Sequence, residues 1–317
     1  MAETLRVRAC VLKWEARDVV SLELRALDGG PLPRFTAGGH IDLHLSHGLV
    51  RSYSLSNSPD ETDRYVVGVA LDANSRGGSR YIHETLRIGA EFEVGMPRNA
   101  FALNEAAGEH VLIAGGIGIT PMLCMMRRLV TLGRKPTLYY AVREHARLAF
   151  AQEIAALDCP HVFHIDAEAG GPLDMASIVA AHPSADFYCC GPAPMLAAYE
   201  AATAHLPDTK VHLERFSAAP VKAEDETGSA GFEVECARSG RTFEIPPDRS
   251  IADVLEAGGI RMELSCREGV CGSCETRVLS GEPDHRDSVL SKSEKAANRT
   301  MMICVSRCRS SKLVLDL

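Results

Sequence analysis

Four cysteines in the last third of the chain constrain its fold more than any other feature. Cys266, Cys271 and Cys274 follow a Cys-x4-Cys-x2-Cys spacing, and Cys304 lies thirty positions further on. This spacing is typical of a [2Fe–2S] cluster, in which each iron completes a tetrahedron with two protein thiolates. Zinc sites usually combine two short-spaced cysteine pairs, and only the Cys304-x3-Cys308 spacing offers a second pair. We therefore predict a cluster held by Cys266, Cys271, Cys274 and Cys304, in a protein that moves single electrons.

The composition excludes several classes of protein. With 317 residues, the chain is long enough for two or three domains. Its net charge of −8 argues against a nucleic-acid binder, which would normally present a basic surface. No apolar run reaches the roughly 18 residues of a membrane span, and the first residues lack the apolar core of a signal peptide. Eleven cysteines then indicate reduced thiols plus a metal site, so we expect a cytoplasmic protein without a membrane or nucleic-acid partner.

The first hundred residues have the pattern of an antiparallel β-structure. Short β-branched runs alternate with turns rich in Gly, Pro, Asn and Asp, which is typical of a barrel or a sandwich. The runs cover residues 6–11, 19–24, 40–45, 51–56, 65–71 and 91–94. An Arg-Gly-Gly-Ser segment interrupts them, and residues 79–86 look helical with Ser79 as the N-cap. Such a helix start can bind a phosphate, with Arg76 adding charge, although an ordinary loop has the same sequence.

From residue 109 the pattern changes to strands that alternate with helices. Strand-like runs occur at residues 111–114, 137–142, 161–165, 187–190 and 210–213, and helical segments at residues 122–132, 148–157, 175–181 and 194–205. This alternation predicts a parallel sheet with helices on both faces. Gly115, Gly116 and Gly118 follow the first strand, and Gly191 follows the fourth. Two glycine-rich strand ends in one sheet define a crevice at its carboxyl edge, where a pyrophosphate can approach the backbone.

The last third of the chain predicts a small α+β domain around the cysteines. Residues 217–230 are small, polar and acidic without periodicity, which is typical of an exposed linker. A predicted hairpin with its turn at Gly240 is followed by a short helix at residues 251–257, with Ser250 as its N-cap. Predicted strands at residues 275–279 and 301–305 follow the cysteine loop, and the second of them carries Cys304.

These motifs, in this order, resemble the phthalate dioxygenase reductase family, which includes the reductases of vanillate O-demethylase and phenoxybenzoate dioxygenase systems. The Arg-Ser-Tyr-Ser run that starts at Arg51 is similar to the flavin-binding strand of the wider ferredoxin reductase superfamily, and the Arg-Gly-Gly-Ser segment to the phosphate-binding helix start of its FMN-containing members. The resemblance implies three domains. They are an antiparallel β-barrel that binds FMN (residues 1–104), an α/β domain with a parallel sheet that binds NAD (residues 105–222) and a plant-type [2Fe–2S] ferredoxin domain of the β-grasp type (residues 231–317).

The resemblance also implies which residues bind each cofactor. For FMN these are Arg51, Ser52, Tyr53, Ser54, Gly68, Val69, Ala70, Arg76, Gly77, Gly78, Ser79, Thr120 and Phe216. For NAD they are Gly115, Gly116, Ile117, Gly118, Pro121, Cys190, Gly191, Pro192 and Met195. No side chain is assigned a catalytic role, because the cofactors carry the chemistry.

The choice between NADH and NADPH depends on the residues after the second parallel strand. An acidic residue there would accept a hydrogen bond from a ribose hydroxyl, whereas arginines could bind a 2′-phosphate. Residues 143–147 contain both types, since Glu144 lies between Arg143 and Arg147. The residues leave the choice open, and the family resemblance favours NADH.

The resemblance implies a reductase that supplies a Rieske-type aromatic oxygenase or demethylase. NADH delivers two electrons together as a hydride, whereas a [2Fe–2S] cluster accepts one, so FMN is expected between them. We expect a monomer that binds its partner transiently, with Arg267 and Glu268 on the rim of the cysteine loop as candidate contacts. Two alternatives stay open: the same electron chain serving a haem monooxygenase, and a non-catalytic zinc or iron–sulfur scaffold.

Overall fold

The computed structural model describes residues 4–73, 75–216 and 231–317. It divides into two compact units, one that extends to Glu214 and one that begins at Arg215. The linker predicted at residues 217–230 lies outside the described residues. Within the described ranges, no helix is both long enough and apolar enough to cross a bilayer.

The first unit begins with a six-stranded antiparallel barrel. Its strands are β1 (Thr4–Ala16), β2 (Val19–Ala26), β3 (His40–His44), β4 (Val50–Ser54), β5 (Tyr65–Ala70) and β6 (Glu91–Gly95). They follow the order β4-β3-β6-β1-β2-β5, and a backbone bridge between Leu55 and Val67 brings the two end strands together. Alternate side chains such as Leu22, Leu24 and Leu43 are fully buried inside. The predicted antiparallel β-barrel is confirmed.

A short helix follows β5 and begins one residue earlier than predicted. Gly78–Arg80 is α-helical (α1), and Tyr81–Thr85 continues it as a π-helical turn. The prediction of Ser79 as the N-cap is wrong, because Gly77 holds that position with a φ of 97°, which glycine adopts without a steric penalty. Ser79 lies inside the first turn, where its hydroxyl donates to Ser75 Oγ at 2.9 Å.

A five-stranded parallel sheet completes the first unit, and this predicted α/β architecture is confirmed. Its strands are β7 (His110–Gly115), β8 (Thr137–Val142), β9 (His161–Ile165), β10 (Asp186–Cys190) and β11 (Val211–Glu214), in the order β11-β10-β7-β8-β9. Its helices are α2 (Ile119–Thr131), α3 (Ala151–Ala155), α4 (Asp166–Ala169), α5 (Met175–Ala181) and α6 (Ala193–Thr203). The helix predicted at residues 148–157 is much shorter, because Phe150 before it has a left-handed backbone with a φ of 59°.

The barrel and the parallel sheet share one hydrophobic core. Leu22 and Val67 of the barrel belong to the same buried cluster as Leu112 of β7 and Met122 of α2. The chain leaves β7 towards β8 on one side and returns as β10 on the other, so the carboxyl ends of β7 and β10 form the predicted crevice. The crevice and the barrel therefore belong to the same compact unit.

The second unit is a small α+β fold around the cysteine loop. Its elements are β12 (Phe232–Cys236), β13 (Arg241–Ile245), α7 (Ile251–Ala257), β14 (Glu275–Ser280), β15 (Pro283–Asp284), α8 (Lys292–Ala297), β16 (Thr300–Met302), β17 (Arg307–Cys308) and β18 (Lys312–Leu315). The main sheet has the order β13-β12-β18-β14-β16, with β12 and β18 parallel. Ile251 and Leu255 anchor α7 in the hydrophobic core of this second unit.

Two local predictions for this unit are confirmed, and a third is wrong. Gly240 closes the β12–β13 hairpin with a φ of 66°, and Ser250 caps α7 by accepting a hydrogen bond from Asp253 N at 3.1 Å. The strand predicted at residues 301–305 ends at Met302, because Ser306 N bonds back to Met302 O at 3.0 Å and forms a turn. Cys304 lies in that turn and not in a strand.

Candidate functional site

The four cysteines of the predicted metal site form two pairs. Cys274 Sγ and Cys304 Sγ share a hydrogen bond at 3.2 Å, and Cys271 Sγ accepts a hydrogen bond from the Cys266 thiol. In the part of the chain that the structure describes, no three His, Cys, Asp or Glu side chains are grouped as ligands of a single metal ion. A tetrahedral zinc ion would need four sulfurs around one point, whereas two irons need two sulfurs each. The paired arrangement fits a two-iron cluster.

Within each pair, the electrostatics favour the thiolate form of one cysteine, the form that binds metals, and raise the pKa of the other, which is Cys266 or Cys304. The hydrogen bond from Cys266 lowers the pKa of Cys271 to about 5, although burial opposes this change. The hydrogen bond from Cys304 likewise lowers the pKa of Cys274. One member of each pair therefore ionises readily, as metal binding requires.

The backbone of the cysteine loop bends tightly at its glycines. Gly269 and Gly272 have φ values of 68° and 75°, and a Cβ at Gly269 would lie 2.5 Å from Val305 Cγ2. Within this bend, Glu268 N donates to Cys266 Sγ at 3.3 Å. The loop thus directs a backbone N–H at a ligand sulfur.

The other two cysteines of this unit are engaged elsewhere. The Cys308 thiol donates to Ser310 O at 2.9 Å, and Cys236 is buried in the core of the second unit. Cys304, which contacts Cys274, is therefore the better fourth ligand, as its spacing predicts.

In the barrel, the structure brings together the residues predicted to bind the FMN phosphate. Arg51 on β4 packs against the start of α1, where a Cβ at Gly78 would lie 2.5 Å from Arg51 Cγ. Arg51 Nη2 also donates to Arg76 O at 2.7 Å. Two arginines thus adjoin a helix start formed by Gly77 and Gly78, a combination that suits a phosphate.

The remaining residues of β4 have different environments. The Ser52 hydroxyl donates to Asp42 Oδ1 at 2.6 Å, so Asp42 on β3 holds this side chain. Burial raises the pKa of Tyr53 to about 12, which keeps its phenol protonated. Ser54 is buried, and its hydroxyl points towards Glu214 at the end of β11.

Gly68 on β5 is the point where the barrel meets the parallel sheet. A Cβ at Gly68 would lie 2.5 Å from Thr120 Cγ2, 3.1 Å from Phe150 Cζ and 3.3 Å from Ile117 Cδ1. The predicted flavin residues Gly68 and Thr120 are therefore neighbours of the predicted NAD residue Ile117. Next to them in β5, Val69 O lies 3.0 Å from His83 Nε2, and Ala70 pairs with β2.

The predicted nicotinamide residues form a cradle at the carboxyl ends of β7 and β10. A Cβ at Gly118 would lie 2.1 Å from Cys190 O, and one at Gly115 or Gly191 would meet the Met195 sulfur at 2.7 or 2.6 Å. Pro192 also contacts Gly115, and Pro121 is buried in the first turn of α2. By contrast, a Cβ at Gly116 would meet no atom within 4 Å, so the space above this glycine is open to a ligand.

The structure adds a carboxyl group that sequence reasoning missed. Glu214 ends β11 beside Cys190, and its Oε2 lies 3.4 Å from Ser54 Oγ and 3.9 Å from Cys190 Sγ. Loss of solvent raises the pKa of Glu214 to about 8, with hydrogen bonds from Ser54 and Cys190 acting in the opposite direction. Burial also raises the pKa of Cys190 well above its ordinary value. The Glu214 carboxyl group therefore lies between β4, which carries predicted flavin residues, and the nicotinamide cradle. It carries a proton at neutral pH.

A signal for Glu214 was present in the sequence. A carboxylate at the carboxyl end of a parallel strand faces the crevice of the sheet, and Glu214 ends the strand next to the one that carries Cys190. Phe216, which the resemblance implies for the flavin, follows two residues later with 42% of its surface exposed. Its place against FMN stays a prediction.

Glu144 and Arg147, which follow the second parallel strand, form ion pairs with each other and with residues of the β1–β2 turn. Arg17, in the β1–β2 turn, donates to both carboxylate oxygens of Glu144 at 2.8 and 2.9 Å. Arg147 binds Glu144 at 3.1 Å and Asp18 at 2.8 Å. A 2′-phosphate would have to displace these carboxylates from the arginines, so the arrangement favours NADH.

Comparison with known proteins agrees with this geometry. Residues 112–201 match the family described as the oxidoreductase NAD-binding domain, and residues 234–309 match the 2Fe-2S iron-sulfur cluster binding domain. The chain is 49% identical to the phenoxybenzoate dioxygenase subunit beta of Ectopseudomonas oleovorans, over 99% of this chain and 97% of that protein. It is 50% identical to the tetrachlorobenzoquinone reductase of Sphingobium chlorophenolicum, over 95% and 94% of the two chains.

Two solved structures have the same fold over nearly all of this chain. Phthalate dioxygenase reductase is 40% identical, with a TM-score of 0.73 over 99% of this chain and 98% of that one. An intact type IV self-sufficient cytochrome P450 monooxygenase is 38% identical, with a TM-score of 0.90 over 99% of this chain and 41% of that one. The chain thus spans about two fifths of the length of the latter protein. These relatives show that the chain belongs to the phthalate dioxygenase reductase family and is an NADH-dependent oxidoreductase with FMN and a [2Fe–2S] cluster.

Proposed function

We propose that this protein is the reductase component of a Rieske-type aromatic oxygenase or demethylase system. The observation that carries the proposal is that the predicted flavin residues Gly68 and Thr120 lie against the predicted NAD residue Ile117, in a chain that also holds two cysteine pairs. The relative from Ectopseudomonas oleovorans, a dioxygenase subunit, supports an oxygenase as the electron acceptor. Electrons then pass from NADH through FMN and the cluster to that oxygenase.

The chain's own residues hold and align the cofactors in this proposal. When bound, FMN links the two-electron chemistry of NADH to the one-electron chemistry of the cluster. Arg51, Arg76 and the helix start at Gly78 bind the FMN phosphate. The cradle glycines let the dinucleotide approach the backbone, and the protonated Glu214 can donate a hydrogen bond at the point where the two sites meet.

We also propose the domain division and the full set of binding residues that the sequence suggests. The barrel, the parallel sheet and the ferredoxin-like sheet support an FMN domain at residues 1–104, an NAD domain at residues 105–222 and a ferredoxin domain at residues 231–317. None of the eleven cysteines, all of which lie in the described ranges, forms a disulfide bond, which supports a reducing compartment such as the cytoplasm. The protein acts as a monomer and forms a short-lived complex with its oxygenase.

Anaerobic reduction by NADH tests the electron chain. In the purified protein, the visible bands of flavin and cluster both bleach when NADH is added. A colourless protein with one zinc per chain would contradict the proposal. The partner is tested by coupling the reduced protein to a purified Rieske oxygenase and, separately, to a haem monooxygenase, and turnover with the haem enzyme alone would replace the Rieske assignment.

A quinone is a second candidate acceptor, because the chain is 50% identical to the tetrachlorobenzoquinone reductase of Sphingobium chlorophenolicum. The Cys271→Ser variant separates the two candidates. Oxygenase turnover requires the cluster and is lost in this variant. NADH-dependent reduction of a chlorinated benzoquinone that survives at the wild-type rate would show that quinones take electrons before the cluster.

A further inference from the structure

Arg267 has an unusual backbone for its residue type and position. It directly follows the ligand Cys266, and its φ of 58° lies in the left-handed region that non-glycine residues rarely adopt. This conformation turns the next peptide so that Glu268 N donates to Cys266 Sγ at 3.3 Å. A backbone that is unfavourable for arginine persists only if other contacts hold it in place.

Those contacts come from the Arg267 side chain, which reaches back to α7. Its Nη1 donates to Asp253 Oδ1 at 3.0 Å, and its Nη2 donates to both oxygens of Glu256 at 2.9 and 2.8 Å. The helix α7 is a fixed support, because Ser250 caps it and Ile251 lies in the core of the unit. A fork of three charge-assisted bonds therefore ties the residue after Cys266 to a rigid element.

We propose that Arg267 is a positioning residue for the [2Fe–2S] cluster. Its fork to Asp253 and Glu256 holds the left-handed turn that aims Glu268 N–H at Cys266 Sγ. Hydrogen bonds to the cluster sulfurs are one of the factors that set its reduction potential, and an N–H donor stabilises the more negative, reduced state. The fork thereby keeps the cluster potential high enough to accept electrons. This inference rests on the proposed function, since it requires that the cysteines bind a cluster.

This role differs from the partner contact that the sequence suggested for Arg267. With one positive and two negative charges, the group formed by Arg267, Asp253 and Glu256 is net negative, so Arg267 does not present a positive charge to a partner. A docking role would change electron delivery to the oxygenase and leave the reductase itself unaltered. A positioning role changes the cluster when no partner is present, so a redox titration of the reductase alone distinguishes the two.

The test measures the cluster midpoint potential and the electron paramagnetic resonance spectrum of the reduced holoprotein. In Arg267→Ala, we expect a shift of the potential to more negative values, altered g-values and faster loss of iron to a chelator. The double variant Asp253→Ala with Glu256→Ala keeps Arg267 but removes both of the carboxylates that anchor it, and should give the same shift. Arg267→Lys retains the charge without the fork and should fall between wild type and Arg267→Ala.

A matched control is available in the same unit. Arg238 donates to both oxygens of Asp316 at 2.8 Å, so Arg238→Ala removes a similar bidentate ion pair away from the cysteine loop, with no shift expected. If Arg267→Ala retains too little cluster, the double variant decides. A wild-type potential and spectrum in the double variant would overturn the inference. A wild-type protein without cluster bands would instead overturn the proposed function.

Discussion

Glu214 shows how a single side chain can link two binding sites. Its carboxyl group lies between Ser54 of the flavin strand and Cys190 of the nicotinamide cradle, in surroundings that raise its pKa from 4.5 to about 8. Below pH 4.5 the group is protonated in both the folded and the unfolded chain, so it costs no stability. As the pH rises from 4.5 to 8, the unfolded chain releases the proton first. The first unit therefore loses stability over this range.

Glu214→Gln should remove this pH dependence, because glutamine stays neutral. We expect the variant to match wild type near pH 4.5 and to gain stability progressively up to pH 8. The gain should reach at most about 5 kcal/mol, since one pKa unit is worth about 1.4 kcal/mol, and less where solvent reaches the carboxyl group. Urea unfolding, monitored by the release of the flavin, measures the difference in the free energy of unfolding between the variant and wild type. Glu168→Gln, which changes an exposed carboxylate, is the control, and equal slopes for both variants would contradict the prediction.

Gly68→Ala tests the contact between the barrel and the parallel sheet. The new Cβ would lie 2.5 Å from Thr120 Cγ2, so either the Thr120 side chain or β5 must shift. We expect a loss of stability of about 1–3 kcal/mol, as for other overpacked core sites, and slower reduction of the flavin by NADH. Stopped-flow absorbance measures the rate. At Gly108 a Cβ would meet no atom within 4 Å, so Gly108→Ala should behave like wild type, and a normal rate in Gly68→Ala would refute the prediction.

Among the elements, the cysteine loop is where variants can separate cluster binding from flavin reduction by NADH. Cys271→Ser should abolish the cluster, because one iron loses a thiolate, while flavin reduction by NADH in the first unit continues. Cys308→Ser should leave the cluster intact, because this thiol is bonded to Ser310. Visible absorption and iron content distinguish the two variants. Cluster loss in Cys308→Ser would mean that Cys304 is not the fourth ligand.

The elements also show which features could be predicted from sequence. Strand patterns and glycine-rich strand ends located both sheets and the crevice, because period-two alternation and strand–helix alternation are local signals. Exact starts and ends depend on backbone geometry that composition does not reveal. Gly77 caps α1 in place of Ser79, Phe150 shortens α3 by its left-handed backbone, and a turn at Met302 leaves Cys304 outside the strand. The position of Glu214 after a predicted strand was a weak signal, but its importance comes from its neighbours in space, Ser54 and Cys190, which the sequence does not reveal.

At the scale of the whole molecule, the distribution of hydrophobic cores determines where the chain can be cut. The second unit has its own buried cluster, which includes Val234, Leu255 and Leu313. The barrel and the parallel sheet instead share one cluster, and Arg127 of α2 donates to Ser56 O beside β4 at 3.0 Å. We therefore expect the first unit to unfold as a single cooperative body, although the other face of the parallel sheet packs on a separate cluster that includes Ile113 and Phe187.

Three fragments test this division. Residues 231–317 should fold alone and show the absorption of a [2Fe–2S] cluster, because their core is complete. Residues 1–222 should retain FMN and reduce ferricyanide with NADH, without cluster bands. Residues 1–104 should fail to bind FMN, because removing the parallel sheet exposes buried barrel residues such as Val67 and deletes Thr120 beside Gly68. Fragments are compared by visible absorption and circular dichroism, and a stable, flavin-loaded 1–104 fragment would show that the shared core is not required.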